Sequence, residues 1–475
     1  MNAKKIGFLL GLLIFVILLI FPIPYLDEKA GKVVAVAAWM VVWWVFEAVS
    51  ISVTALVPLA LFPLLGVMDI KAAASNYSSP IVFLFFGGFV MALALENVGL
   101  HKRIALNIMR VIGGSANKVI LGFMTATALM SMWISNTAST VVMLPIALSV
   151  IDLLLNDADG YTKNDKNFAL SILLGIAFAA NVGGIATLIG TPPNSVMLGF
   201  LEKGYGIEIG FFGWMKLGVP FAIVLLFISF LCLVYVFYPN RLGKLEGSKK
   251  IIDDELAKLG KIGSGERVVI IIFMMAIFCW IARGPLNTWF PSLQLTDTTI
   301  SVLAALAMFT IPYRFQDRKF TIVWEDTRRL PWGILILFGG GLALASGFAQ
   351  AGLIDTVGNF VAGQSGWTVW GTTVVLILLV LFCTELMSNV ALTAVVLPLV
   401  AGIAMGFDVP VLQMVVPVTI ASSCAFMLPM ATPPNAIVFA SGHVKVGQMA
   451  KIGFFLNLIS VALISCLVYF FTVLT

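Results

Sequence analysis

Residues 135–145 read Ser135-Asn136-Thr137-Ala138-Ser139-Thr140-Val141-Val142-Met143-Leu144-Pro145, and residues 388–398 read Ser388-Asn389-Val390-Ala391-Leu392-Thr393-Ala394-Val395-Val396-Leu397-Pro398. The second run repeats the first at an offset of 253. Each forms a polar knot inside a long apolar stretch, 119–152 in one case and 368–405 in the other. The register extends outward. Gly88, Gly99 and Leu100 match Gly341, Gly352 and Leu353 at the same offset, and Thr191-Pro192-Pro193-Asn194 returns as Thr432-Pro433-Pro434-Asn435 at an offset of 241. Matched features in the same order at a nearly constant offset mark two copies of one architectural unit.

The surroundings of these runs place them in a membrane. Of the 475 residues, 60% are hydrophobic and 11% charged, well under the roughly 25% charge of a soluble chain. Lipid must solvate much of that apolar surface. Spanning helices need ~20 apolar residues. Stretches 6–24, 33–49, 51–66, 80–98, 168–188, 210–238, 268–285, 297–313, 331–352, 410–430 and 450–474 qualify. The segment 6–24 is long for a signal sequence and no small-residue cleavage site follows directly, so it reads as a retained first helix.

With the N-terminus inside and one crossing per stretch, most Lys and Arg residues fall inside. Lys29, Lys32, Lys71, Lys203, Lys216 and Arg283 fall outside. The bias holds only if both knotted stretches return to the side they entered. The expected fold is therefore an all-α polytopic membrane protein with about eleven transmembrane helices and two re-entrant hairpins, with the C-terminus outside. The hairpin at Ser135 enters from inside and the one at Ser388 from outside, so the repeats are inverted. The expected divisions are a first helix (1–30), a first repeat (31–238), a cytoplasmic linker (239–267) and a second repeat (268–475). The linker charges read as a solvated, lipid-facing surface. Inverted repeats are a common plan of secondary transporters in the inner or plasma membrane, with the site at the midplane between them.

The chemistry of the motifs suits an anion and a cation together. Two consecutive prolines break a helix, and broken backbone at that depth is tolerated only where protein or a water-filled cavity satisfies it. Unwound joints are expected at 190–193 and 431–434, with Thr191 and Thr432 as N-caps and proline just behind. The new half-helix offers free amides and about +0.5 e to an anion. The half before it ends in carbonyls that attract a cation. Ser and Asn at each tip cap the returning helix in the same way. No Lys, Arg or His lies within 125–145, 187–196, 382–398 or 426–437. A dianion in low dielectric is costly without counter-charge, so bound cations are expected to supply it. Hydroxyl, amide and carbonyl oxygens suit sodium, a hard cation, by extension from calcium and magnesium.

The paired Ser-Asn-Thr/Val tips, each followed by a Thr-Pro-Pro joint, resemble the divalent-anion/sodium symporters, the INDY-type dicarboxylate transporters. Val53-Thr54-Ala55-Leu56-Val57-Pro58-Leu59-Ala60-Leu61-Phe62-Pro63 and Thr384-Glu385 fit the same family. The resemblance covers nearly the whole chain from about residue 30. It implies a homodimer, a scaffold plus a moving transport domain, and elevator-type alternating access with sodium co-transport. It implies that Ser135, Asn136, Thr137, Ser388, Asn389 and Val390 hold the substrate carboxylates, with Thr432 and Pro433 lining the site. One sodium site would use Ser131, Ser135, Asn136 and the Gly190 carbonyl. The other would use Thr384, the Met387 backbone, Asn389 and the Ala431 carbonyl. The implied activity is inward symport of a C4-dicarboxylate such as succinate, malate or fumarate. Val390 stands where the first tip has Thr137, one hydroxyl fewer, a difference that bears on substrate preference.

Other readings were weighed against this one. An exchanger of the same fold would be expected to carry a basic side chain at a cation site, and none is seen. Citrate, sulfate or another divalent anion stays open as cargo. An intramembrane enzyme would need a His/Ser dyad, an Asp pair or a metal motif, absent from the core, so no catalysis is expected. A passive channel fits poorly with discrete Asn/Ser tips. Glu385 is read either as a hydrogen-bonding support of the hairpin or as support of a cation site, with proton coupling behind both. Glu47 and Glu96 read as boundary residues. Gly87-Gly88 and Gly339-Gly340-Gly341 read as close helix packing, not phosphate loops. The five cysteines are scattered in apolar runs and read as packing residues.

Overall fold

Inside a bilayer every backbone amide must find its partner within its own segment, so apolar runs of this length fold as helices. The computed structural model describes residues 3–21, 23–112, 114–155, 162–243, 247–314, 316–364 and 366–474. Met1, Asn2, Lys244 and Thr475, on which parts of the orientation argument rest, lie outside the described residues. The first half runs α1 (Ala3–Ile20), α2 (Glu28–Val45), α3 (Ile51–Thr54), α4 (Val57–Leu64), α5 (Ile70–Ser75), α6 (Pro80–Asn97), α7 (Leu100–Ile112), α8 (Ala116–Ser131), α9 (Asn136–Leu155), α10 (Lys163–Ile185), α11 (Pro192–Tyr205) and α12 (Phe211–Leu231), extended by a π-helical turn Cys232–Phe237. α13 (Ser248–Leu259) lies in the linker. The second half runs α14 (Ser264–Trp289), α15 (Asp297–Thr310), a small β1 (Pro312–Arg314)/β2 (Lys319–Phe320) hairpin, α16 (Trp332–Gln350), α17 (Leu353–Ala362), α18 (Val369–Cys383), α19 (Asn389–Gly406), α20 (Val411–Ser422), α21 (Pro433–Ala440) and α22 (Val446–Leu474). Among the described residues, 7 helices are long and apolar enough to cross a membrane, and further apolar helices are shorter. This is a multi-pass, nearly all-helical membrane protein.

The two halves repeat the same order of elements. α6–α11 correspond to α16–α21, and the bend that leads from the long helix into the short amphipathic one is built alike. Gly99 (φ 72°) precedes α7 and Gly352 (φ 64°) precedes α17. A side chain there is strained by about 1–2 kcal/mol, which is why both copies carry glycine. α10 sits at the centre, packed on α8, α9, α12 and α21, and its apolar length is wholly buried. α14 is the opposite case: Ile271, Met274, Met275, Phe278 and Ile281 face outward along it, a surface that needs lipid.

The structure departs from the sequence reading in four places. The 51–66 stretch is not one span but α3 and α4. Pro58 has no amide hydrogen to give the Thr54 carbonyl one turn before it, and the Ala55 carbonyl bonds the Tyr77 hydroxyl (2.5 Å). The 410–430 stretch stays helical only to Ser422 and then unwinds. α7 and α17 were not expected as separate helices. The linker is no free solvated surface either. Lys102 on α7 binds Glu255 on α13 (2.7 Å), and Arg110 binds Asp253 (3.0 Å). Arg103 grips Glu266 (2.6 Å) and the carbonyls of Leu259 and Gly260.

Candidate functional site

Both polar knots interrupt their helices. α8 ends at Ser131 and α9 starts at Asn136; α18 ends at Cys383 and α19 starts at Asn389. In the first knot the Ser135 hydroxyl accepts the Ala138 amide at 3.2 Å, the expected cap. Both proline joints also start helices where expected, α11 at Pro192 and α21 at Pro433. The Thr432 hydroxyl caps α21 by accepting the Asn435 amide (3.4 Å). The Thr191 side chain makes no such bond; its backbone carbonyl takes the Asn194 amide instead (3.2 Å).

Of the four residues expected at the first sodium site, Ser131, Asn136 and Gly190 come together, while Ser135 caps α9. The Ser131 hydroxyl donates to the Ala180 carbonyl (2.7 Å). A hydroxyl has one hydrogen to give, so the Asn136 amide satisfies its neighbours by turning Nδ2 inward. Its two hydrogens are then within reach of Ser131 Oγ (2.5 Å), the Ala180 carbonyl (3.1 Å) and the Gly190 carbonyl (3.3 Å) and are shared among them. Three uncharged oxygens therefore converge on one point. The second half builds the counterpart. Thr384 Oγ1 lies 2.6 Å from Asn389 Oδ1 and donates to the Ser422 carbonyl (2.8 Å). Thr393, on the next turn of α19, bonds the Asn389 carbonyl and the Ser422 hydroxyl (2.8 Å). Met387 and Ala431 lie in the flanking turns and make no direct hydrogen bond to the Thr384–Asn389 pair.

Packing joins the two halves crosswise. α9, which carries the first tip, lies against α21 of the second joint, and α19, which carries the second tip, lies against α11 of the first joint. Ser135, Thr137 and Pro433 are exposed, Asn136, Ser388, Asn389 and Val390 are half-buried, and Thr432 is buried. Several basic side chains are engaged elsewhere: Lys203 with Asn76 and Ser75, Arg283 with Asp297, Arg329 with Asn97.

Several residues of the site escaped the sequence reading. Asn194 and Asn435, quoted only as part of the repeated motif, hold the unwound backbone. Asn194 Nδ2 donates to the Thr187 carbonyl (2.9 Å) and Asn435 Nδ2 to the Leu428 carbonyl (3.1 Å), seven residues back in both cases. The signal was the repeat itself, since the asparagine recurs with the prolines. Position 132 and its counterpart 385 tie each knot to its joint by different chemistry. The Met132 carbonyl accepts the Thr187 hydroxyl (2.5 Å). Glu385, 3% exposed, accepts the amides of Phe426 (2.7 Å), Met427 (2.9 Å) and Leu428 (3.1 Å) and the Asn457 amide group (2.8 Å). Of the roles weighed for Glu385, the geometry shows hydrogen-bonded support, directed at the unwound joint. Asn181, on α10, also reaches the second joint.

Known proteins share this architecture. In Staphylococcus saprophyticus, a relative named sodium-dependent dicarboxylate transporter SdcS is 39% identical over 473 residues, which cover 98% of this chain and 91% of the relative. The protein of the same name from Staphylococcus aureus strain USA300 is 40% identical with the same coverage. Among solved structures, the Alcanivorax borkumensis YdaH transporter superposes with a TM-score of 0.53 at 13% identity, covering 83% of this chain and 86% of that one. Neisseria gonorrhoeae MtrF superposes with a TM-score of 0.54 at 12% identity, covering 83% of each chain. Those two likenesses concern the fold alone. The model of the sodium:sulfate symporter transmembrane region matches residues 2–475, so the chain belongs to the sodium:sulfate symporter family and is a membrane transporter, not an enzyme.

Proposed function

We propose that this protein is a secondary active transporter that carries C4-dicarboxylates (succinate, malate, fumarate) inward together with sodium ions. The observation that carries the reading is the meeting of Ser131 Oγ, the Ala180 carbonyl and the Gly190 carbonyl around the Asn136 amide. An amide nitrogen fills the centre of that oxygen set as a donor. When sodium takes the centre, the amide turns its own oxygen inward and becomes a further ligand. The Thr384–Asn389–Ser422 set supports a second sodium site, which Met387 and Ala431 would complete. The N-termini of α9, α19 and α21 then face the carboxylates with partial positive charge, and the sodium ions supply the remaining counter-charge. Sodium dependence and dicarboxylates are also what the names of the relatives state. Those names favour a dicarboxylate over the sulfate of the family description.

An elevator-type movement is part of the proposal, and unequal exposure of equivalent surfaces supports it. Val141, Pro145 and Ser149 are exposed along α9, whereas their counterparts Ala394, Pro398 and Gly402 are buried on α19. α11 is buried from Pro193 to Leu201, while Pro433, Ala436 and Phe439 of α21 are exposed. Such a state is open along the α9–α21 side, which the charge bias makes the cytoplasmic side. The homodimer belongs to the same reading, and cross-linking in native membranes measures it.

Uptake of labelled succinate into proteoliposomes tests the function. Uptake is expected only with an inward sodium gradient, with malate and fumarate as competitors. Exchange that persists in symmetrical sodium-free buffer would mean a dicarboxylate exchanger, and competition by citrate or sulfate alone would reassign the cargo.

A further inference from the structure

Asn181 is an amide in the last turns of α10 (Lys163–Ile185), a helix that is otherwise almost wholly apolar from Phe168 to Ile185, and it is 2% exposed. A polar side chain so placed must find partners, and it finds them in the other half of the molecule. Nδ2 donates to Thr432 Oγ1 (3.0 Å) and to the Ala425 carbonyl (3.2 Å), and lies 3.5 Å from Asn435 Oδ1. Thr432 is both the cap of α21 and a residue of the proposed substrate site. Ala425 lies in the unwound stretch after Ser422, directly before the amides of 426–428 that Glu385 holds.

The residue before it serves the first half. The Ala180 carbonyl accepts the Ser131 hydroxyl and the inward-turned Asn136 amide. One peptide unit of a rigid buried helix is thus bonded to the first tip through its carbonyl, and the next residue is bonded to the second joint through its side chain. The arrangement is not mirrored. Ser422 supplies the carbonyl equivalent to that of Ala180, and its own hydroxyl donates to Thr419 and accepts from Thr393 in its own half. The counterpart of Asn181, the buried Ser423, has a hydroxyl without a hydrogen-bond partner among the described residues. Among the described residues, Asn181, next in sequence to a member of the first cation set, makes a direct side-chain link to the other half's joint.

We propose that Asn181 is a positioning residue that couples the two cation sites, so that sodium captured at the first tip orders the second joint and its substrate-binding Thr432. The inference rests on the sodium-coupled reading and adds to it the residue that makes the two sites cooperative. When the Asn136 amide turns for sodium, its bond to the Ala180 carbonyl is exchanged for an ion contact. α10 settles accordingly, and the strain is delivered to Thr432 over a single side chain.

Hydrogen–deuterium exchange of the purified full-length protein in nanodiscs tests this, with sodium chloride titrated against choline chloride and no dicarboxylate present. The segments followed are 131–141 and 426–436. In wild type both are expected to slow with one shared sodium midpoint. In Asn181→Ala the midpoints are expected to separate by about 5-fold or more, the lower end of ordinary site-to-site coupling. A shared midpoint retained in Asn181→Ala overturns the proposal. Thr432→Val removes the acceptor from the far side of the same bond. It is read in the same way if Asn181→Ala is not monodisperse, and a shared midpoint there overturns the proposal equally. A wild type in which sodium slows neither segment removes the sodium sites themselves, and the coupling with them, a result distinct from loss of coupling alone.

Discussion

A carboxylate buried in an apolar interior must be repaid in hydrogen bonds, and Glu385 collects four. Its oxygens stand in for the helical carbonyls that the unwound amides of 426–428 have lost. Glu385→Gln keeps the shape but turns one acceptor into a donor that faces amide hydrogens. The expected cost is about 1–3 kcal/mol, seen as a lowered Tm of the purified protein together with reduced uptake. The asparagines of the tips make a sharper case. Asn136→Ala or Asn389→Ala is expected to abolish succinate uptake at normal expression, measured by transport beside immunoblot, and wild-type uptake in either removes the site assignment. These two residues were legible in the sequence because a polar knot in an apolar run has few structural excuses. Asn181 was not, since a single amide in a helix names no partner until tertiary packing brings Thr432 to it. Glu385 was noticed as an intramembrane acid, but its task depends on backbone that lies 41 residues further on.

At the scale of elements, the repeated Thr-Pro-Pro joints marked where new helices start, whereas Pro145 and Pro398 lie inside α9 and α19, and apolar length told less. Lengths of 51–66 and 410–430 look like ordinary spans, yet the first is cut near Pro58 and the second unwinds after Ser422. What composition could not reveal was whom the linker charges meet. Glu255 is held by Lys102 (2.7 Å) and Lys258 (2.6 Å), and those bonds lower its carboxyl below the ordinary glutamate value. A carboxyl with a depressed folded-state pKa adds stability above its unfolded pKa, about 4.3, and loses it as pH falls through the folded value. The Tm difference between wild type and Glu255→Gln is therefore expected to hold at neutral pH and to shrink as pH falls below about 4.3 toward the lowered folded-state value. A difference independent of pH would detach Glu255 from the clamp. The paired bends make a second check. Gly99→Ala and Gly352→Ala place a side chain at φ 72° and 64°, with an expected cost of about 1–2 kcal/mol each. Thermal unfolding measures it, and no shift would show that the bends relax.

At the scale of the whole molecule, equivalent surfaces are unequally open. Val141 is 52% exposed and its counterpart Ala394 is 2% exposed. In a background without other reactive thiols, Val141→Cys is expected to react readily with a water-soluble maleimide and Ala394→Cys slowly. Under turnover with sodium and substrate the two rates are expected to converge. Rates that never respond to substrate would speak against a moving domain. The crossed packing of α9 on α21 and α19 on α11 also bears on origins. A polypeptide with one copy alone would present half of each enclosure and complete neither. On the proposed inverted arrangement, two such polypeptides inserted in opposite senses would complete both, a route by which a half-length dual-topology pair could precede duplication and fusion.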